Sequence, residues 1–186
     1  HIILDENKKV RQNLIFWGNG TDGKPFERPF IGVNPEWKNI KWVSYPRADL
    51  AATIVGISDT DDVAFVTLSE FQEIADLKKG DDIFYLGFPL GFGAEEGSDP
   101  VLRKGMVALK KHDKKYFYID ATVAGGNSGG PVFKETKQGV RLIGIVTAFE
   151  PFIATDGNKY HSGLGIVYPF DYIKKLLPSS EFEATR

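Results

Sequence analysis

The sequence predicts an all-β protein in two halves, and three observations carry that reading. Short segments rich in Val, Ile, Tyr, Phe and Trp recur along the chain at strand length. Twenty glycines and ten prolines punctuate them, as expected where many short strands are joined by turns. Only two stretches carry helix signals. The strand candidates are Leu14–Trp17, Lys41–Ser44, Leu50–Val55, Val63–Leu68, Ile83–Leu86, Met106–Leu109, Tyr116–Ile119, Leu142–Thr147 and Gly165–Tyr168. Lys110–Lys115 (KKHDKK) reads as a polar hairpin connection between two of them. The first helix candidate is Ser69–Leu77, where Ser69 followed by Gln72 makes a capping-box pattern and Gly80 closes the segment. The second, Asp171–Leu177, sets Phe170, Ile173 and Leu177 on one face before Pro178 stops it. The long break around Ser69–Asp82 divides the chain into residues 1–68 and 69–186.

Composition narrows the function classes. The 186 residues suffice for a real core, and 42% apolar with 26% charged residues is an ordinary globular balance. A net charge of −2 and no basic stripe give nucleic acid nothing to bind. The longest apolar stretches, around Leu50–Ile57 and Ile83–Phe92, are too short or too glycine-broken to span a bilayer, so no membrane insertion is expected. The chain has no cysteine, which removes disulfides, a thiolate nucleophile and any cysteine-based metal site. Periplasmic, secreted and cytoplasmic locations all stay open, because a domain this large is stable without crosslinks. Oligomeric state is not indicated. The charged segments Asn19–Arg28 and Ala94–Asp99 read as solvated surface.

The strongest signal is Gly125-Gly126-Asn127-Ser128-Gly129-Gly130-Pro131. A serine hydroxyl is a weak nucleophile and needs a base beside it and donors where negative charge develops. Glycines around it permit a tight turn that aims amide N–H groups at one spot. A phosphate-binding loop would instead place a lysine after the glycines and open a helix. Here Pro131-Val132-Phe133 follows and reads as a strand.

GNSGGPVF resembles the serine motif of chymotrypsin-like peptidases, in the Asn-containing form of bacterial trypsin-like and HtrA-like domains. Leu142–Thr147 (LIGIVT) resembles the strand beside the bound substrate, and Gly163–Val167 the far wall of the primary pocket. Leu77–Gly91 resembles the start of the second barrel. The likeness covers roughly residues 48–177. It implies two antiparallel β-barrels of the chymotrypsin type, a short linking helix, a C-terminal helix, and a triad in the order His, Asp, Ser. Ser128 is then the nucleophile, with the Gly126 and Ser128 amides as the oxyanion hole. Asp49, in Arg47-Ala48-Asp49-Leu50-Ala51, fits the acid; Asp62 is the runner-up, and either can be a plain strand-edge aspartate. Of three histidines, His112 sits in the lysine-rich turn and His161 follows the serine, so both read as loop histidines. His1 is left as the base, either the tail of a Thr-Ala-x-His-type motif or an arbitrary chain end. If it is catalytic, the first barrel lacks about 25 residues upstream, and the natural protein is expected to extend beyond His1. Only Pro178–Arg186 follow the second barrel, so no C-terminal peptide-binding domain is expected within this chain.

By the same resemblance the primary pocket comes from Thr122, Val123, Ala124, Thr147, Ala148, Phe149 and Gly163-Leu164-Gly165. Thr122, six residues before Ser128, stands where trypsin-like enzymes keep the carboxylate that binds Lys or Arg. Such lining favours a small or medium apolar P1 residue. His161 would meet an acidic P1 only if its loop folds inward, and Thr147 is positioned to donate to Asp49. The expected function is a serine endopeptidase acting on polypeptides without metal or organic cofactor. The alternatives are an inactive binding module on the same fold and a sensor whose oxyanion loop orders conditionally.

Overall fold

A computed structural model describes residues 15–22, 24–29, 43–45, 48–53, 59–94, 99–110 and 115–176. Six strands close into one antiparallel barrel in the second half: β6 (Asp82–Gly87), β7 (Val101–Lys110), β8 (Phe117–Asp120), β9 (Pro131–Thr136), β10 (Gly139–Ile153) and β11 (Lys159–Pro169). They are ordered β10-β11-β8-β7-β6-β9, with β9 returning to β10. Closure leaves no free edge across the body of the barrel. Period-two alternation turns Ile83 and Tyr85 of β6 inward to meet Val107, Phe117, Ile119, Val132, Ile143, Val146 and Val167.

In the first half, β1 (Ile15–Gly20), β2 (Pro25–Pro29) and β5 (Asp61–Asp62) form a three-stranded antiparallel sheet. A second pairing joins β3 (Val43–Ser44) to β4 (Ala51–Ala52). Among the described residues this half is not a closed barrel. Asn19–Arg28, expected as solvated surface, is instead mostly the β1–β2 hairpin, with Asn19 opposite Pro25. The strand expected over Val63–Leu68 does not form: pairing stops at Asp62, and Phe65 stays 68% exposed with no ladder to join. His1, His112, most of the KKHDKK turn and the tail after Leu176 lie outside the described residues.

The single helix expected over Ser69–Leu77 is two 3₁₀ turns, Leu68–Glu70 and Ile74–Asp76. Tertiary bonds outcompete the helical ladder here. The Gln72 amide donates to the Leu142 carbonyl of β10 at 3.0 Å, and the Ile74 amide to Asp171 Oδ2 at 3.0 Å. The capping box sits two residues earlier than its sequence pattern suggested, with Thr67 N–H donating to the Glu70 carboxylate at 2.6 Å. Phe71 stacks on Phe170 at the start of α1 (Phe170–Lys174), so this segment is pinned against the helix that follows the barrel. No helix among the described residues is long and apolar enough to cross a membrane.

Where the linker enters β6, Asp81 takes the Lys134 ammonium at 2.5 Å and the Lys78 amide at 2.7 Å, with both side chains of the ion pair mostly buried. Burial alone would raise the Asp81 carboxyl, but these donors outweigh it and hold the group below the usual carboxylate range. The folded value lies below the unfolded one of about 3.9. The pair's stabilisation is therefore present at neutral pH and lost as pH falls below that range. Asp81→Asn leaves Lys134 without its anion and is expected to cost about 2 kcal/mol at pH 7. Urea midpoints at pH 7 and pH 3 should show that gap narrowing toward acid.

Candidate active site

The Ala121–Gly130 loop links β8 to β9 across the end of the barrel. Its entry is fastened from below. Tyr85, fully buried, donates its hydroxyl to the Thr122 carbonyl at 2.8 Å, and Arg103 Nη1 donates to the same oxygen at 3.1 Å. An inward tyrosine needs a partner for its hydroxyl, and this one supports the loop; burial raises its phenol. Val123 anchors its side chain in the core, while its carbonyl faces His161 Nε2 at 2.6 Å.

A tight turn follows. The Asn127 amide donates to the Ala124 carbonyl at 3.0 Å, and Asn127 Oδ1 accepts the Ala124 amide at 3.0 Å. Asn127 is thus a fully buried clip across the turn; its Nδ2 has no partner. Gly126, third residue of the turn, has φ +91°, the conformation a type II turn needs there. A Cβ on Gly126 would also lie 1.9 Å from the Phe88 carbonyl oxygen, and one on Gly130 would lie 2.1 Å from that of Leu86. Side chains are excluded at both places by backbone.

The bonds of this loop leave a clear remainder. Leu90 N–H donates to the Gly125 carbonyl at 2.7 Å and Phe88 N–H to the Gly126 carbonyl at 3.0 Å. Gly129 N–H donates to Val146 at 2.7 Å and Gly130 N–H to Asn127 at 2.9 Å. The amides of Gly126 and Ser128 donate to no protein acceptor among the described residues. Ser128 is exposed, and its hydroxyl donates to the Thr147 carbonyl at 2.9 Å. The exposed Ser128 hydroxyl and these two free amides thus lie within one short turn of the chain.

Of the residues expected to line the pocket, Val123 instead turns its side chain into the barrel core, because the loop is anchored there. Phe149 of β10 stacks on His161 of β11 with ring centroids 4.7 Å apart. The Gly163 amide donates to His161 Nδ1 at 2.8 Å, so Nε2 carries the proton and donates to Val123. His161 is thus a clamp between the loop and β11 rather than a loose loop histidine, and both its nitrogens are engaged. The Thr147 hydroxyl turns to the Ile166 carbonyl at 3.4 Å, not to Asp49 as expected, because the cross-strand oxygen is the acceptor in reach. Thr122 and Ala148 are exposed at the rim.

Asp49 is exposed in the bend after Tyr45, and the Tyr45 amide closes that turn on the Leu50 carbonyl at 3.0 Å. Burial raises the neighbouring Tyr168 phenol, an effect the Asp49 backbone beside it offsets in part. Tyr168 alternates with inward Val167 and lies opposite Ile145, two residues from Thr147. Asp49 therefore lies beside Tyr168 of β11. Asp62 lies exposed at the end of β5, paired with Asn19 of β1. No described cluster of His, Asp and Glu is arranged to hold a metal. Sequence reasoning missed Tyr85, Arg103, Phe88, Leu90 and the fastening of His161; the readable signal was Tyr85, an inward tyrosine in the Ile83–Leu86 strand.

A family model described as the trypsin-like peptidase domain matches residues 1–145. The chain is 23% identical over 177 residues to a probable periplasmic serine endoprotease, DegP-like, of Rhizobium meliloti (strain 1021), across 95% of this chain and 30% of that relative. It thus spans under a third of the curated relative it matches. A solved structure of the HtrA-type protease AlgW with a tripeptide aligns at TM-score 0.55 and 18% identity, covering 92% of this chain and 49% of that one. At that identity the likeness is one of fold. With the family match extending over most of its length, the chain belongs to the trypsin-like peptidase domain family.

Proposed function

We propose that this chain carries the catalytic unit of a serine endopeptidase acting on polypeptides. The observation that supports it most is the pair of unpartnered amides, Gly126 and Ser128, beside the exposed Ser128 hydroxyl. In this reading His1 takes the Ser128 proton as the hydroxyl oxygen attacks the scissile carbonyl. The two amides hold the developing oxyanion, and His1 returns the proton to the leaving amine. Asp49 keeps the imidazole in its working tautomer. Water then repeats the cycle against the acyl-enzyme. Two antiparallel barrels with the site between them complete the proposed architecture, residues 1–68 supplying the base and acid and residues 69–186 the nucleophile.

Specificity follows from the pocket lining. Ala124, Ala148 and the Phe149–His161 stack are the side chains that support a small or medium apolar P1 residue, Val123 being turned into the core. With both nitrogens of His161 engaged, it is not free to receive an acidic P1. One observation favours a second reading, an inactive or conditionally active module on the same fold. The Ser128 hydroxyl gives its proton to the Thr147 carbonyl, and no described imidazole reaches it.

Fluorophosphonate labelling with peptide mapping separates the two. A working site gives a single adduct on Ser128, absent in Ser128→Ala and slowed at least 10³-fold in His1→Ala, with Asp49→Asn slowed about 10²- to 10⁴-fold. A folded sample that takes up no label supports the inactive module instead. On a P1 peptide series, the parent should prefer Ala or Val over Phe. Phe149→Gly should raise kcat/KM for Phe at P1 about tenfold or more, as expected for one large ring removed from an apolar pocket.

A further inference from the structure

The Gly125–Gly126 peptide presents one of the two unpaired amides, and its other end is held by a residue outside the nucleophile motif. A peptide group is planar and trans, so fixing its oxygen fixes the opposite direction of its N–H. The Gly125 oxygen is fixed by the Leu90 amide at 2.7 Å, and the following peptide by the Phe88 amide on the Gly126 oxygen at 3.0 Å. If the Gly125–Gly126 plane turned over, the Leu90 bond would be lost and a carbonyl would replace the donor beside Ser128.

Leu90 reaches this place at a conformational cost. Its φ of 57° and ψ of 21° make it the only non-glycine residue of positive φ among the described residues. It occupies the third position of the Phe88-Pro89-Leu90-Gly91 turn, closed by Gly91 N–H on the Phe88 carbonyl at 2.9 Å. Proline second and positive φ third are the features of a type II turn, where glycine is the usual third residue. Leucine there carries about 1 kcal/mol of strain. Packing does not explain its identity, because the side chain is 77% exposed while Pro89 is buried beneath it. What the turn does is aim one backbone donor at Gly125.

The geometry points to Leu90 as the positioning residue of the oxyanion hole: its left-handed backbone delivers the N–H that keeps the Gly126 amide facing Ser128. This rests on the serine-peptidase reading and adds to it a determinant remote in sequence from the GNSGGP motif. The residue acts through Gly125 and touches no substrate.

Three variants test it: L90V, whose β-branch disfavours positive φ; L90P, which removes the N–H; and L90G, which keeps the donor and accepts the conformation freely. At a shared KM, kcat should rank L90G above L90V above L90P, with L90P lower than the parent by about 10²-fold, as for loss of one oxyanion donor. Thermal midpoints verify that each is folded, and if L90P is not, the L90V-to-L90G comparison decides. Amide hydrogen exchange by NMR supplies a readout that needs no activity: the Leu90 amide should be protected in the parent and exchange faster in L90V. Equal kcat across folded variants, or a Leu90 amide exchanging as freely as an exposed loop amide, overturns the proposal. A parent that takes no fluorophosphonate but protects Leu90 sinks the peptidase reading and leaves the lock standing.

Discussion

Two backbone amides held without protein partners, those of Gly126 and Ser128, are the constraint around which the described structure is organised. Polar backbone groups normally find partners within the fold, and a loop can meet that need on its acceptor side while leaving several donors free. That is what the Ala121–Gly130 loop does. Carbonyls of Thr122, Val123, Ala124, Gly125 and Gly126 all accept bonds, from β6, β7, β11, the turn itself and the Phe88–Leu90 segment. The loop is rigid through its acceptors while its donors remain available.

The barrel makes this possible because its strands supply the fastenings from different directions. Tyr85 rises from the core of β6, His161 reaches across from β11, and Val146 of β10 takes the Gly129 amide. None of these contacts is strong alone, each worth about 1 kcal/mol net. Their joint effect is geometric. Each restrains one peptide plane of the loop. The same reasoning explains the excluded side chains at Gly126 and Gly130, where backbone oxygens of Phe88 and Leu86 occupy the space a Cβ would take.

The first half connects to this apparatus at a few places. The linker lies along β10 through the Gln72 and Phe71 contacts, and the Tyr45–Leu50 turn sits against Tyr168 and Tyr172.

The amino-acid sequence by itself determined the all-β class, most of the barrel strands and the glycine-rich turn at Gly125–Gly130. These depend on local rules: alternation with period two, β-branched and aromatic runs, and glycines where positive φ or a close backbone approach is required. Only the tertiary structure decided the rest. Ser69–Leu77 has a helix's caps, yet β10 and Asp171 take its amides. Val63–Leu68 has a strand's composition, yet no ladder reaches it. His161 reads as a loop residue until Val123 and Gly163 meet its two nitrogens. Leu90 carries no local signal for its role, since the carbonyl it holds lies 35 residues further along the chain. Pairing of a backbone donor with a distant acceptor leaves no trace in residue type, because every residue except proline offers the same N–H.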